Sequence, residues 1–135
     1  MEVGEYTSST IPPFQHESYG ANLARCQRYY YLHVSGATKE VGNGFWYGTT
    51  EFDFPVMFGV SMREGPTLDI ASGTTYYRSQ GGTAGNVYYE TFTLQFATPR
   101  GCNLYNGSVS GGTTGDGGNV VTYETAAKIA FTAEL

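Results

Sequence analysis

Three glycine-rich segments interrupt the chain and constrain its fold more than any other feature. They are Gly42-Asn43-Gly44, residues 81–85 and residues 111–118. Because glycine adopts positive φ at little steric cost, such segments are typical of hairpin tips and loops. The stretches between them are rich in tyrosine, phenylalanine and threonine, which suit a pleated, half-buried surface. This pattern predicts many short strands rather than a helical bundle.

Apolar residues that alternate with polar ones predict where those strands lie. The clearest three, each followed by its inward residues, are 55–63 (Val56, Phe58, Val60, Met62), 90–97 (Phe92, Leu94, Phe96) and 128–134 (Ile129, Phe131, Ala133). Further strands are predicted from residue 29 to 35 and, more weakly, at 45–50, 67–71, 74–79, 103–106 and 120–123. About eight strands at this spacing predict a mostly β domain, an antiparallel β-sandwich or jelly roll.

One short helix is predicted at residues 18–30, near the start of the chain. Ser18 suits the N-cap position, and Arg25 and Arg28 are expected at the surface or paired with acids. The residues expected to pack this helix on the sheet recur at helical spacing; they are Tyr19, Leu23, Cys26 and Tyr30. We therefore expect a single sandwich domain at residues 18–135. Residues 1–17, which contain Pro12-Pro13, are expected to be an extended lead-in from a preceding fibre or jelly-roll module.

Composition and charge exclude several functional classes. The formal net charge is -5, so the basic surface of a nucleic-acid binder is absent. No apolar run approaches the roughly 20 residues that span a bilayer, and the acidic start lacks the apolar core of a signal peptide. Cys26 and Cys102 are not spaced as metal ligands and are expected to be buried free thiols.

The residue pattern indicates no catalytic site, metal site or cofactor. His16 and His33 stand alone. Four acidic residues near one another in sequence could include a glycosidase pair but are expected to solubilise strand ends; they are Glu51, Asp53, Glu64 and Asp69. The segment 111–118 lacks the lysine of a phosphate-binding loop and the further oxygen ligands that Ca²⁺ requires. It is expected to be a flexible loop.

Surplus aromatic residues are the feature most indicative of a function. Where such residues are adjacent on a strand, one should point into the core and the other outward, where rings stack on sugars or bury between subunits. The candidate ligand-binding residues beside the glycine-rich tips are Trp46, Tyr47, Tyr76, Tyr77 and Tyr105. The alternative is that these rings fill the core or a subunit interface, and that Trp46 is the largest core residue.

Three segments resemble the C-terminal module of bacteriophage tail-fibre and virion structural proteins. Glu2-Val3-Gly4 with residues 13–20, PFQHESYG, is similar to the end of the jelly roll that precedes that module. Residues 23–31, LARCQRYYY, resemble its passage from helix to strand and are the most specific match. Residues 62–67, MREGPT, and the ending 131–135, FTAEL, are similar to its later motifs, although Thr132 replaces an acidic residue.

The resemblance implies a virion protein, assembled in the host cytoplasm, that forms a distal homotrimeric fibre module beside other fibre proteins. The start of the sequence suggests a fragment of a longer fibre. The expected function is non-enzymatic receptor binding, in which loops recognise a host-surface glycan or protein without membrane insertion. One alternative is a structural capping or decoration protein without receptor contact. Another is a glycan-degrading enzyme.

Overall fold

The computed structural model describes residues 17–134. The predicted lead-in falls outside this range except for Glu17, as do His16 and Leu135. Within the range, the helix and strands have the following bounds: α1 Tyr19–Gln27, β1 Tyr30–Ser35, β2 Glu40–Trp46, β3 Phe52–Met57, β4 Thr67–Ile70, β5 Tyr77–Gly81, β6 Gly85–Tyr89, β7 Thr93–Thr98, β8 Gly101–Asn106, β9 Gly117–Thr122 and β10 Lys128–Thr132.

The strands form two antiparallel sheets, which confirms the predicted mostly β, sandwich-like fold with one short helix near the N-terminus. A three-stranded sheet has the order β1-β10-β4, and a seven-stranded sheet has the order β6-β5-β9-β2-β3-β8-β7. All neighbouring strands run antiparallel. In β10, the central strand of the small sheet, Ile129 and Phe131 are buried as predicted, and Ala133 is buried just beyond the strand.

The seven-stranded sheet curls strongly because its two edge strands are joined by a short connection. Only residues 90–92 link the end of β6 to the start of β7, and four Cα–Cα steps reach at most about 14 Å. Seven strands laid flat would separate those edges by about 29 Å. The sheet therefore bends until its edges approach, and Asn106 of β8 donates a hydrogen bond to the Thr91 carbonyl across the gap at 2.8 Å.

Aromatic rings fill the concave side of this sheet. Phe92, which ends the short connection, lies 4.9 Å from Phe54, 5.1 Å from Tyr89 and 5.3 Å from Tyr77 between ring centroids. These partners come from β3, β6 and β5. One ring therefore joins β3 to two strands that lie three and four positions away from it in the sheet. Edge-to-face and tilted geometries of this kind add about 0.5–1.5 kcal/mol per pair beyond the area they bury.

Tyr77 connects the two sheets through its hydroxyl group. The oxygen lies 2.6 Å from the Ala71 carbonyl and 2.8 Å from the Lys128 carbonyl, both in the region of the small sheet. Burial raises the pKa of Tyr77 to about 12 from 10.0. The stabilisation that the neutral phenol provides is therefore complete below about pH 10 and is lost as the pH rises towards 12.

The helix differs from its prediction. Ser18 is the N-cap, as expected, and its side chain accepts a hydrogen bond from the Ala21 N–H. The predicted packing stripe is wrong for this chain because no residue of the helix is buried, and Leu23 is 42% exposed. Helical periodicity shows that one face is apolar but does not say which molecule covers it. Cys26 is likewise exposed, whereas Cys102 is buried as predicted. Arg25 pairs with Glu17.

Two predicted strands differ from their predictions. The strand predicted at 55–63 stops at Met57, and Met62 is buried from a loop, where its N–H donates to the Pro99 carbonyl. In β7, Phe96 was expected to face inward but is 79% exposed. The pairing of β7 with β8 shifts register between Gln95 and Thr98, and Phe96 has a φ of 52°. This bulge turns the ring outward.

The glycine-rich segments divide into two structural types. Residues 81–85 form the tip of the β5–β6 hairpin, as predicted, with Gly81 opposite Gly85. Gly42-Asn43-Gly44 was expected to be a turn but lies inside β2. A Cβ on Gly44 would lie 2.3 Å from the Asp53 carbonyl oxygen, so the residue is glycine because another strand packs against it. Strand β6 itself had no sequence prediction.

We expect Tyr77→Phe to lower the free energy of unfolding by about 1–3 kcal/mol, because a buried hydrogen-bonding group loses its partner while the ring stays in place. Urea titration at neutral pH measures this change. Tyr47→Phe is the matched control, since the Tyr47 side chain is 66% exposed, and should change stability by no more than about 0.5 kcal/mol. Equal effects of the two substitutions would contradict the bridging role of the Tyr77 hydroxyl.

Candidate functional site

The predicted ligand-binding residues separate into core and surface groups. Trp46 is 1% exposed and Tyr77 is 0% exposed, so both fill the core, and their assignment to a ligand site is corrected. Strand alternation places one side of β2 in the core, and Trp46 lies on that side. For Trp46, the alternative of a core residue is confirmed. Tyr47 is exposed, and Tyr76 and Tyr105 are half-buried.

The loop at 111–118 covers the Trp46 ring rather than extending into solvent. A Cβ on Gly112 would lie 1.9 Å from the indole, so only glycine fits there without a shift. The backbone N–H of Trp46 donates to the Asp116 carbonyl, and the backbone N–H of Gly115 donates to the Trp46 carbonyl. This packing corrects the expectation of a flexible loop.

Asp116 fastens the same loop to the β5–β6 hairpin. Its carboxylate accepts hydrogen bonds from the Thr83 N–H at 2.8 Å and the Thr83 hydroxyl at 2.6 Å. These bonds favour the charged form and lower the pKa of Asp116. Two glycine-rich segments distant in the sequence thus form one connected end of the domain.

The convex side of the seven-stranded sheet, which we call the outer face, carries a carboxyl group between two aromatic side chains. Phe45, Asp53 and Tyr105 are direct register partners on β2, β3 and β8, so all three side chains project from one side. Phe45 is exposed, whereas Asp53 is 8% exposed. The Asp53 Oδ1 atom is buried and has no hydrogen-bond partner among residues 17–134.

The environment of Asp53 favours its neutral form. Burial raises its pKa most, and the nearby Glu51 carboxylate raises it further. A hydrogen bond with the Asn103 side chain acts in the opposite direction. A carboxyl group held this way can exchange hydrogen bonds with hydroxyl groups, as donor when protonated and as acceptor in either state.

A row of amide side chains crosses the outer face beside this carboxyl group. Register pairs place four of them on consecutive strands, namely Asn86, Gln80, Asn119 and Asn43 on β6, β5, β9 and β2. After Pro55 the row continues with Asn103 and Gln95 on β8 and β7. Each amide offers both donors and an acceptor, so the outer face is equipped for a polar, uncharged ligand surface.

The remaining candidates for chemistry have structural partners. His33 lies with Nε2 2.8 Å from the Val41 carbonyl oxygen, and Asp69 pairs with Lys128 at 2.8 Å. Across residues 17–134, no cluster of three or more histidine, cysteine or acidic side chains is arranged to hold a metal ion. Within the same range, no helix combines the length and apolarity needed to cross a membrane.

A cavity of about 460 Å³ opens where the edges of the curled sheet approach each other. Its lining consists of Tyr88, Glu90, Thr91, Asn106, Ser108 and Val109. Glu90 is the one acidic residue in this lining, and glycoside hydrolysis requires a pair of carboxyl groups. The cavity therefore lacks the acid pair that the enzyme alternative needs.

The aromatic residues predicted beside the glycine-rich tips include part of the outer face. Tyr105 is the direct register partner of Asp53, and Tyr47 follows β2, where its N–H donates to the Glu51 carbonyl. Phe45, Asp53 and the amide row were missed. The signal that could have found Phe45 is its position one residue before Trp46, which places it on the opposite side of β2.

Comparison with protein-family models, with curated proteins and with solved structures finds no match for this chain.

We expect Trp46 to emit at short wavelength and to resist a neutral quencher, because its ring is buried under Gly112. Gly112→Ala should displace the loop, shift the emission to the red and admit acrylamide. Gly107→Ala is the matched control, since its added Cβ would meet its nearest neighbour at an ordinary 3.7 Å. Fluorescence quenching of the three proteins measures the difference, and an unchanged emission in Gly112→Ala would contradict the packing.

Proposed function

We propose that this domain is a non-enzymatic recognition module of a bacteriophage virion, similar to a tail-fibre tip, that binds a host-surface glycan on its outer face. The observation that carries the proposal is the row Phe45–Asp53–Tyr105, in which a buried, unpartnered carboxyl oxygen lies between two aromatic side chains on an otherwise solvent-facing sheet. The virion assignment comes from the resemblance of the three sequence segments.

The chemistry of this row suits a sugar. Aromatic rings offer flat apolar faces to the C–H surfaces of a pyranose, and a carboxyl group bonds its hydroxyls. The exposed Phe45 ring is the direct register partner of Asp53, so a sugar stacked on it would lie beside this carboxyl group. Burying a polar atom without a partner costs about 1–3 kcal/mol, so a ligand that supplies the missing hydrogen bond gains that amount.

Binding fits the outer face better than hydrolysis. Glycosidases place two carboxyl groups on opposite sides of the scissile bond, about 5–9.5 Å apart. Glu51 and Asp53 lie on one chain segment at the convex surface of the sheet, whereas the cavity at the sheet edges is lined by a single acid, Glu90. The glycan-degrading enzyme therefore remains the third candidate, after a structural capping protein that contacts no receptor.

We expect Phe45→Ala to weaken glycan binding by about tenfold or more, equivalent to about 1.4 kcal/mol. The wild-type domain is first screened on an array of bacterial surface oligosaccharides, and the variants are then titrated with the best ligand. Phe96→Ala is the matched control, because Phe96 is an exposed phenylalanine in the bulge of edge strand β7. It should leave affinity unchanged.

Three other outcomes separate the candidates. No bound glycan on the array would favour the structural capping protein. Release of shorter saccharides, detected by mass spectrometry after long incubation, would favour the enzyme. Equal losses in Phe45→Ala and Phe96→Ala would contradict a site centred on Asp53.

We also propose that helix α1 is buried between copies in a homotrimer. The helix has nine residues and no buried side chain, and helices this short are marginal in water without packing. Exposed apolar side chains occur on the helix, at Tyr19 and Leu23, and on one side of the strand that follows it, at Tyr30 and Leu32. Exposed apolar surface is typical of subunit contacts, and the three-fold symmetry follows from the resemblance.

We expect Leu23→Ala to dissociate the trimer but to change the stability of the isolated chain by no more than about 0.5 kcal/mol, the range of surface substitutions. Light scattering measures the mass, and urea titration at low protein concentration measures the stability. Met57→Ala is the control, because Met57 is exposed on β3, away from the helix. A monomeric wild-type chain at micromolar concentration would contradict the proposal.

A further inference from the structure

We propose that Arg78 binds the anionic substituent of the glycan, so that the ligand is an acidic saccharide. This inference rests on the glycan binding proposed above and specifies the class of sugar. Arg78 lies on the outer face of β5, and Phe45–Asp53–Tyr105 starts two strands away, on β2. The two groups are linked by the amide row.

The position of Arg78 is set by two tyrosines. Tyr88 of β6 is the direct register partner of Arg78. The guanidinium carbon of Arg78 lies 5.3 Å from the ring centroid of Tyr123, just beyond β9. The Tyr88 and Tyr123 rings are themselves packed edge to face, 5.2 Å apart. Stacking on Tyr123 orients the planar guanidinium and leaves its N–H groups able to donate hydrogen bonds to a ligand.

The hydrogen-bonding capacity of Arg78 is unused within residues 17–134. Its Nε atom is buried without a partner, and no carboxylate of that range forms an ion pair with it. By contrast, Arg25 pairs with Glu17 and Lys128 pairs with Asp69. A half-buried cation costs free energy unless an anion compensates it, and a ligand carboxylate or phosphate fits the fork of a guanidinium with two parallel hydrogen bonds.

The neighbours of Arg78 complete a site for a sugar ring rather than for a free ion. Tyr88 is partly exposed and is the direct register partner of Arg78. One row along, Gln80 of β5 has two register partners, Asn86 on β6 and Asn119 on β9. Gln80 is two residues from Arg78, on the same side of β5. The guanidinium would hold the anionic group while these amides bond ring hydroxyl or acetamido groups.

The charge of the chain argues for specificity. The formal net charge is -5, so an anionic ligand is repelled by most of the surface and attracted at the few uncompensated cations. Two acids lie near Arg78 in register: Glu90 follows its partner Tyr88 by two residues, and Glu40 is separated from it by Val121. Neither forms an ion pair with Arg78, so this cation has no ion-pair partner among residues 17–134.

The test uses three sugars that differ at a single carbon: glucuronate, glucose 6-phosphate and glucose. NMR spectra of the full chain follow the arginine Nε–H signals during titration with each. We expect the Arg78 signal to shift with glucuronate or glucose 6-phosphate and not with glucose, and the two anionic probes distinguish a carboxylate from a phosphate ligand. Arg78→Gln should weaken binding of the responding probe by about tenfold or more, and added salt should weaken it in the wild type.

Arg63→Gln is the matched control, because Arg63 also lies over an aromatic ring, that of Tyr29, at 5.7 Å. It should leave binding of the anionic sugars unchanged. Arg78→Lys, which retains the charge but not the fork, should bind with intermediate affinity if the two-bond geometry is used.

Each other outcome overturns the assignment. An Arg78 signal that ignores both anionic sugars, or responds equally to glucose, excludes an acidic subsite; glycan binding would still stand if a neutral oligosaccharide bound through Phe45. A change in oligomeric mass on Arg78→Gln, without loss of sugar binding, would show that Arg78 pairs with a second copy of the chain instead. Arg78→Gln should unfold at the wild-type temperature; if it does not, the response of the wild-type Arg78 signal to the three sugars decides the assignment by itself.

Discussion

The connection of residues 90–92 joins strands at opposite edges of the seven-stranded sheet, and it can do so only because the sheet curls until those edges approach. The curl in turn creates a concave side that aromatic rings fill, with Phe92 in contact with rings from three strands. The convex side is left to solvent. The separation between a hydrophobic interior and a polar, aromatic outer face thus follows from a connection that is too short for a flat sheet.

How much the sequence reveals depends on whether a residue's role is local. Ile129 and Phe131 alternate in a strand that is covered on its inner side, so period-two alternation located them correctly. Ser18 was equally predictable because a helix cap depends on the next few residues alone. Gly44 and Gly85 look alike in sequence, yet one lies in a strand pressed against Asp53 and the other in a hairpin tip. That difference depends on a strand neighbour distant in sequence.

The outer face illustrates the same limit for function. Aromatic abundance pointed to Tyr47 and Tyr105, and alternation correctly implied that one member of each adjacent pair would be internal. Sequence reasoning offered the core as the alternative for Trp46. Nothing in it selected Tyr77 over Tyr76 as the internal member, and nothing joined Phe45 to Asp53 across strands. In the sequence, Asp53 and Arg78 are ordinary charged residues. The structure shows that one polar atom of each, Asp53 Oδ1 and Arg78 Nε, is buried without a partner among residues 17–134.

The outward turn of Phe96 affects whether a second chain can add a strand to β7. Strand β7 is an edge of the large sheet. An edge normally presents free N–H and C=O groups to which another chain can add a strand. The positive φ of Phe96 and the register shift beside it break the regular spacing of those groups. A regular exposed edge would otherwise risk pairing with the same edge of a second copy. The irregularity that defeats a simple strand prediction therefore protects the domain against aggregation through this edge.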